Sequence, residues 1–170
     1  MRLITTIPLI VPMLFSSASF AQTPPPAGPG GKPTRGPTLA VALDLAQGAL
    51  AACAAKGFPV SVAIADQAGN TKVALVADNT MNHASAAIRK AATAAVFKEP
   101  GSKIAAQEKT DPALAVKIAG SPLYSDHPGS LPLLAGGEVI GGIGVGGAPS
   151  HPQDEACAQA AIDKYGSEIK

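Results

Sequence analysis

Three histidines and a few charged neighbours are the places where this chain could do chemistry. His83 opens the run NHASAAIRKAATAA, in which Arg89 and Lys90 follow six and seven positions on. On a helix, Lys90 lies nearer than Arg89 to the face that carries His83. An imidazole there can ligate a metal or move a proton, and the two cations can meet anionic groups of a ligand. The competing reading makes His83 a polar helix-start residue and Arg89 with Lys90 a solvated face. His151 precedes Asp154 and Glu155 in SHPQDEACA, where a carboxylate can orient the ring. The same two acids also suit the first turn of a helix, stabilised by its dipole, with no chemistry at all. His127, beside Asp126 in a loop, is a third possible ligand.

Other motifs exclude more than they offer. Gly142, Gly144 and Gly147 spell G-x-G-x-x-G, but a dinucleotide fingerprint needs a helix directly after it and a further strand bearing an acid about 20 positions on. The residues that follow leave no room for that strand. These glycines instead read as strand and turn positions approached closely by a backbone or a flat ligand, and Gly144 and Gly146 are the candidate cofactor contacts. Ser85 stands two residues from His83 and points elsewhere on a helix, so no nucleophile and base form. Cys53 and Cys157 fall in no metal-binding spacing. They either pair in an oxidising compartment or stay apart as two buried small residues.

The elements that must position these groups follow from periodicity. Thr38 caps a helix with Leu39, Leu43, Ala46, Leu50 and Cys53 on its expected buried stripe, closed by Gly57. Val60 to Ala65 and Thr71 to Ala77 alternate around Asp66-Gln67-Ala68-Gly69-Asn70, a hairpin. Asn82 to Phe97 is an Ala-rich helix built for close packing. Asp111-Pro112 starts a short helix that Gly120 stops, and a loop runs to Ser130. Leu131 to Ala135 and Glu138 to Val145, joined at Gly136-Gly137, form a second hairpin. A last helix, capped by Ser150 or His151 and begun by Pro152, ends at Gly166. Two hairpins covered by amphipathic helices make an α/β domain with an antiparallel sheet in two or three layers.

Ahead of that domain, residues 1–21 have the order of a cleavable secretory signal. Arg2 precedes the apolar run Leu3 to Phe15, and Ser19-Phe20-Ala21 supplies the small residues of a cleavage site. Pro8 and Pro12 interrupt the run, which is short of the ~20 apolar residues of a spanning helix, so no stable membrane insertion is expected. Residues 22–37 form a Pro/Gly-rich linker, and residues 38–170 the globular domain. The whole chain carries 13 basic and 12 acidic residues; cleavage removes one basic residue, Arg2, and leaves a formally neutral protein. With 4% aromatic residues and no Trp, it offers nucleic acid neither a basic stripe nor a stacking platform.

Three blocks carry a resemblance to a known family: VSVAIADQAGN from Val60 to Asn70, NHASAAIRKAATAA from Asn82 to Ala95, and GEVIGGIGVGGAPSHPQDEACA from Gly137 to Ala158. They resemble the GlcG/HbpS-like family of haem-degrading domains. Pro128-Gly129-Ser130-Leu131-Pro132-Leu133 matches only part of the family's Gly-rich segment before the last hairpin. The resemblance implies a profilin-like or PAS-like fold, a homo-oligomer and haem as cofactor. Members of that family differ in how they hold the iron, some without a His ligand; for haem bound here the candidate residues are His83 or His151 on the iron, Arg89 and Lys90 on the propionates, and Gly144 and Gly146 against the macrocycle. The function so implied is that of an exported, periplasmic or secreted, haem-binding protein acting in capture, sensing or protection, with haem degradation as a further reaction. Two rivals stand beside it: an enzyme or binder for a small organic acid, with Lys90 or His83 as acid or base, and a structural oligomerisation domain.

Overall fold

The computed structural model describes residues 34–81 and 84–170. The expected signal segment, most of the expected linker, and His83 lie outside the described residues. The elements run α1 (Leu39–Ala54), β1 (Ser61–Asp66), β2 (Thr71–Val76), α2 (Ala84–Phe97), α3 (Gly101–Glu108), α4 (Pro112–Ala119), β3 (Ser130–Ala135), β4 (Glu138–Gly146) and α5 (His151–Tyr165), followed by a 3-10 turn, Gly166–Glu168. The four strands form one sheet in the order β2-β1-β4-β3. Every pairing is antiparallel, so the two hairpins meet through β1 and β4 at the centre.

Alternation along the strands gives the sheet two different faces. Val62 and Ile64 of β1 and Ile143 and Val145 of β4 enter a core with Leu45, Ala46 and Ala49 of α1 and Cys157, Ala158 and Ala161 of α5. The opposite face is made of the smallest residues available: Ala63 and Ala65 of β1 pack with Ala87, Ala91 and Ala95 of α2. On β4 a Cβ added at Gly142 would lie 2.2 Å from Ala91 O, and one at Gly144 would lie 2.3 Å from Ala87 O. Alanine on the helix and glycine on the strand therefore let α2 lie almost backbone to backbone on the sheet. The expected close packing of this helix is what the structure shows.

Three expectations change. The buried stripe of α1 is Ala42, Leu45, Ala46, Ala49 and Cys53, whereas Leu39 is 59% and Leu43 36% exposed; in an Ala-rich helix two adjacent stripes are both apolar, and tertiary packing selects one. Helix α3 has no counterpart among the expected elements. Ordered contacts also begin before Thr38: Thr34 Oγ1 donates to Asp66 Oδ2, Gln67 N to Arg35 O at 2.9 Å, and Arg35 pairs with Glu138. The last residues of the expected linker are thus pinned to the hairpin ends.

Turns and caps follow the sequence closely. Gly136 and Gly137 both take positive φ, 57° and 84°, as a two-residue hairpin turn requires. Asp111 caps α4 by accepting from Ala113 N and Leu114 N at 3.0 and 3.1 Å. The cysteine alternative resolves as a disulfide, Cys53 to Cys157, joining α1 to α5 with their Cα atoms 5.5 Å apart.

Candidate functional site

Beyond Gly144 the helix and strand part, and a cleft of about 490 Å³ opens between the start of α2, the end of β4, the 125–127 loop and the start of α5. Its floor is an ion pair. Lys90, on the inner face of α2, is 4% exposed, and Asp154, in the first turn of α5, is 2% exposed. Lys90 Nζ donates to Asp154 Oδ2 and to Val145 O, each at 2.9 Å. The other carboxylate oxygen, Asp154 Oδ1, accepts from Ala148 N at 2.9 Å. Both charges are thus compensated where little solvent reaches them, as burial demands.

Two imidazoles face each other above this floor. His127 and His151 have ring centroids 5.1 Å apart and planes inclined by 52°. His127 Nδ1 sits 2.8 Å from Asp126 Oδ1, with both side chains largely exposed. His151 Nδ1 is 4.0 Å from Asp154 Oδ2, beyond hydrogen-bond reach. Burial, together with the Lys90 ammonium and the neighbouring His127, holds the His151 imidazole below its ordinary pKa against the pull of Asp154 and Asp126. The shift favours the uncharged ring, the form that ligates metals.

The sequence candidates distribute unevenly. Arg89 lines the cleft with an exposed side chain, available to an anionic group. Lys90 lines it too, but its ammonium is committed to Asp154 and Val145 O, so the two cations are not an equivalent solvated pair. Gly146 borders the cleft; Gly144 is buried under α2, and the close approach it permits is that of a helix backbone. Glu155 does not orient His151: its carboxylate accepts from Ser102 N and Oγ at 3.2 and 2.7 Å and ties α3 to α5. The Lys90 to Asp154 pair is not legible in the sequence, because 64 residues separate its members; the nearest signal is Asp154, one turn after His151. Phe97 and Tyr124 meet edge to face, and Ser125 N donates to Thr93 Oγ1 at 2.8 Å, which holds the loop that carries His127.

A second, more apolar groove of about 560 Å³ runs between α3 and α5, with Ala105, Ala106, Leu131 and Ala156 on its walls. It shares Pro152 with the first cleft and contains no imidazole. Among the described residues, no three His, Cys, Asp or Glu side chains are grouped to hold a bare metal ion. An iron already held by a macrocycle needs only one or two further donors, and two imidazoles, a guanidinium and a rim of Gly, Ala and Pro are a donor set that fits haem. Among the described residues, no helix is long and apolar enough to cross a membrane.

Comparison with known proteins agrees with this architecture. The family model described as "Haem degrading protein HbpS-like" matches residues 38–163. A crystallised double mutant of Streptomyces reticuli HbpS is 35% identical, over 84% of this chain and 97% of that one, with a TM-score of 0.71. A PduOC:haem complex is 26% identical over 73% and 91% of the two chains, with a TM-score of 0.64. Klebsiella pneumoniae protein ORFY, 23% identical over 82% and 97%, shares the fold with a TM-score of 0.72. No curated protein matches. On the extent of the family match and of the likeness to HbpS, the chain belongs to the HbpS-like haem-degrading protein family.

Proposed function

We propose that this protein binds haem in the His127/His151 cleft and does so as an exported protein. The observation that carries the reading is the facing imidazole pair, with Arg89 beside it, in a family that includes a solved haem complex among its structural neighbours. When bound, the haem would supply an iron centre for sensing, storage or reaction with peroxide. Of this chain's residues, His151 or His127 would hold the iron through a ring nitrogen, Arg89 would meet a propionate, and Gly146 would form part of a small-residue wall. Export is supported by the signal-like order of residues 1–21 and by the disulfide, which persists in oxidising compartments.

Titrating hemin into the purified protein tests the reading. The expected result is a shifted Soret band saturating at a fixed stoichiometry, weakened in His151→Ala and bound about tenfold less tightly in Arg89→Ala. No shift at stoichiometric hemin overturns it. A thermal shift with small carboxylic acids and none with hemin would favour a metabolite ligand instead. Bleaching of the bound Soret band by peroxide, with release of iron, would distinguish degradation from capture.

A further inference from the structure

The buried ion pair has a place in this site that a stabilising role does not account for. Burying a salt bridge costs most of what its Coulomb attraction returns, and well-packed apolar residues commonly do as well. The Lys90 and Asp154 pair is instead distinguished by what it joins. Lys90 comes from α2 and Asp154 from α5; Val145 O closes the end of β4, and Ala148 N fixes the connection into α5. Gly129 presses on the pair from the loop that carries His127. A Cβ at Gly129 would lie 2.7 Å from Lys90 Nζ and 2.9 Å from Asp154 Cβ, and its φ is +122°. Gly129 O in turn accepts from Val145 N at 2.8 Å. His127 is two residues from Gly129, and His151 is one helical turn from Asp154. The two segments that carry the imidazoles therefore rest on one point.

We propose that Lys90 and Asp154 are positioning residues, a clamp that sets the distance and tilt between the His127 and His151 rings. The proposal rests on the haem reading for its purpose, but its geometry can be tested without haem. The variant K90M/D154L replaces the pair with apolar side chains of similar size, and D154N removes the charge while keeping an acceptor for Ala148 N.

The first measurement is the contact between the two imidazoles, read as a nuclear Overhauser cross-peak between their ring protons, with the dispersed amide spectrum reporting folding. The wild type should show the cross-peak. K90M/D154L should lose it while remaining folded, and D154N should retain it in weakened form. An unchanged cross-peak in folded K90M/D154L overturns the clamp. If that variant does not fold, D154N decides: full cross-peak intensity there overturns the clamp, and partial loss supports it. The second measurement is hemin binding, in which loss of orienting partners should weaken affinity about 10- to 100-fold and change the position of the Soret band. Wild-type protein that shows the ring contact but no Soret shift removes the haem reading and leaves the clamp standing. A normal Soret band and affinity in folded K90M/D154L remove the clamp and leave the haem reading standing.

Discussion

Gly144→Ala and Gly146→Ala, two residues apart on the same face of β4, should have opposite consequences. At Gly144 the new methyl would sit 2.3 Å from Ala87 O and 2.4 Å from Ala91 N, whereas ordinary contact begins at 3.4 Å. Helix and strand would have to separate by about 1 Å, and the opposing atoms are backbone, so no side chain can turn aside. Overpacking a core costs about 1–3 kcal/mol when side chains can adjust, so a cost of at least about 3 kcal/mol is expected here, against a total stability of roughly 5–15 kcal/mol. At Gly146 the nearest atoms are Ala86 Cβ at 3.6 Å and Ala87 N at 3.8 Å. That methyl fits, and by restricting the unfolded chain it should be neutral or stabilise by up to about 1 kcal/mol. The chain has no Trp, so urea unfolding followed by far-ultraviolet circular dichroism is the suitable assay. Equal unfolding free energies for the two variants, within about 0.5 kcal/mol, would refute the account of α2 packing.

The Cys53–Cys157 disulfide spans a sequence separation of 104, and C53S/C157S should lose about 3–5 kcal/mol by removing that restraint from the unfolded chain; identical melting with and without reductant would contradict this. Asp66 is partly desolvated, which raises its pKa, but hydrogen bonds from Thr34, from the Asn70 side chain and from Asn70 N and Ala68 N outweigh burial and hold it below the ordinary value. Because the folded pKa is the lower one, its contribution is complete above the unfolded value near ~3.9 and is lost as pH falls through the folded value. The stability advantage of wild type over Asp66→Asn should therefore be constant near neutrality and shrink below about pH 4; a difference that does not change with pH would count against it. Deleting residues 34–37 should likewise lower the melting temperature by exposing the hairpin end that Thr34 and Arg35 cover, and an unchanged melting temperature would show that these contacts are incidental.

Local rules made most of the elements legible. Alternation marked the first two strands, Gly136-Gly137 marked the turn of the second hairpin, and Asp111-Pro112 marked a helix start. The pattern failed where small residues made it degenerate. In α1, Leu39 and Leu43 suggest one face, yet the stripe through Ala42, Leu45 and Ala49 is buried, because contacts with α5 and the sheet outweigh the larger side chains. Helix α3 carries one deeply buried large apolar residue, Ile104, too few for a periodic signal. At the site, His151 and Arg89 were visible as chemistry-bearing residues. The partners of Lys90 were not, because the distances that commit it arise only when β4 and α5 come together. His127 gained weight for the same reason: its ring contact with His151 joins residues 24 apart in a loop and a helix.

The glycines that stood out as a false nucleotide motif explain why the cleft lies where it does. Along β4, the closest approach of α2 to a Cβ position is 2.2 Å at Gly142, 2.3 Å at Gly144 and 3.6 Å at Gly146. Helix and strand stay in backbone contact for two steps and then diverge by more than 1 Å at the third, where Arg89 and His151 border the opening. Close packing upstream brings Lys90 within reach of Val145 O and Asp154, and divergence downstream leaves space for a ligand. The two can be separated experimentally. Gly146→Val should retain the fold, because the upstream contact is untouched, yet narrow the mouth of the cleft and weaken hemin binding at least about tenfold, the change produced by about 1.4 kcal/mol. Gly146→Val that is folded and binds hemin with wild-type affinity would place the haem somewhere other than this cleft.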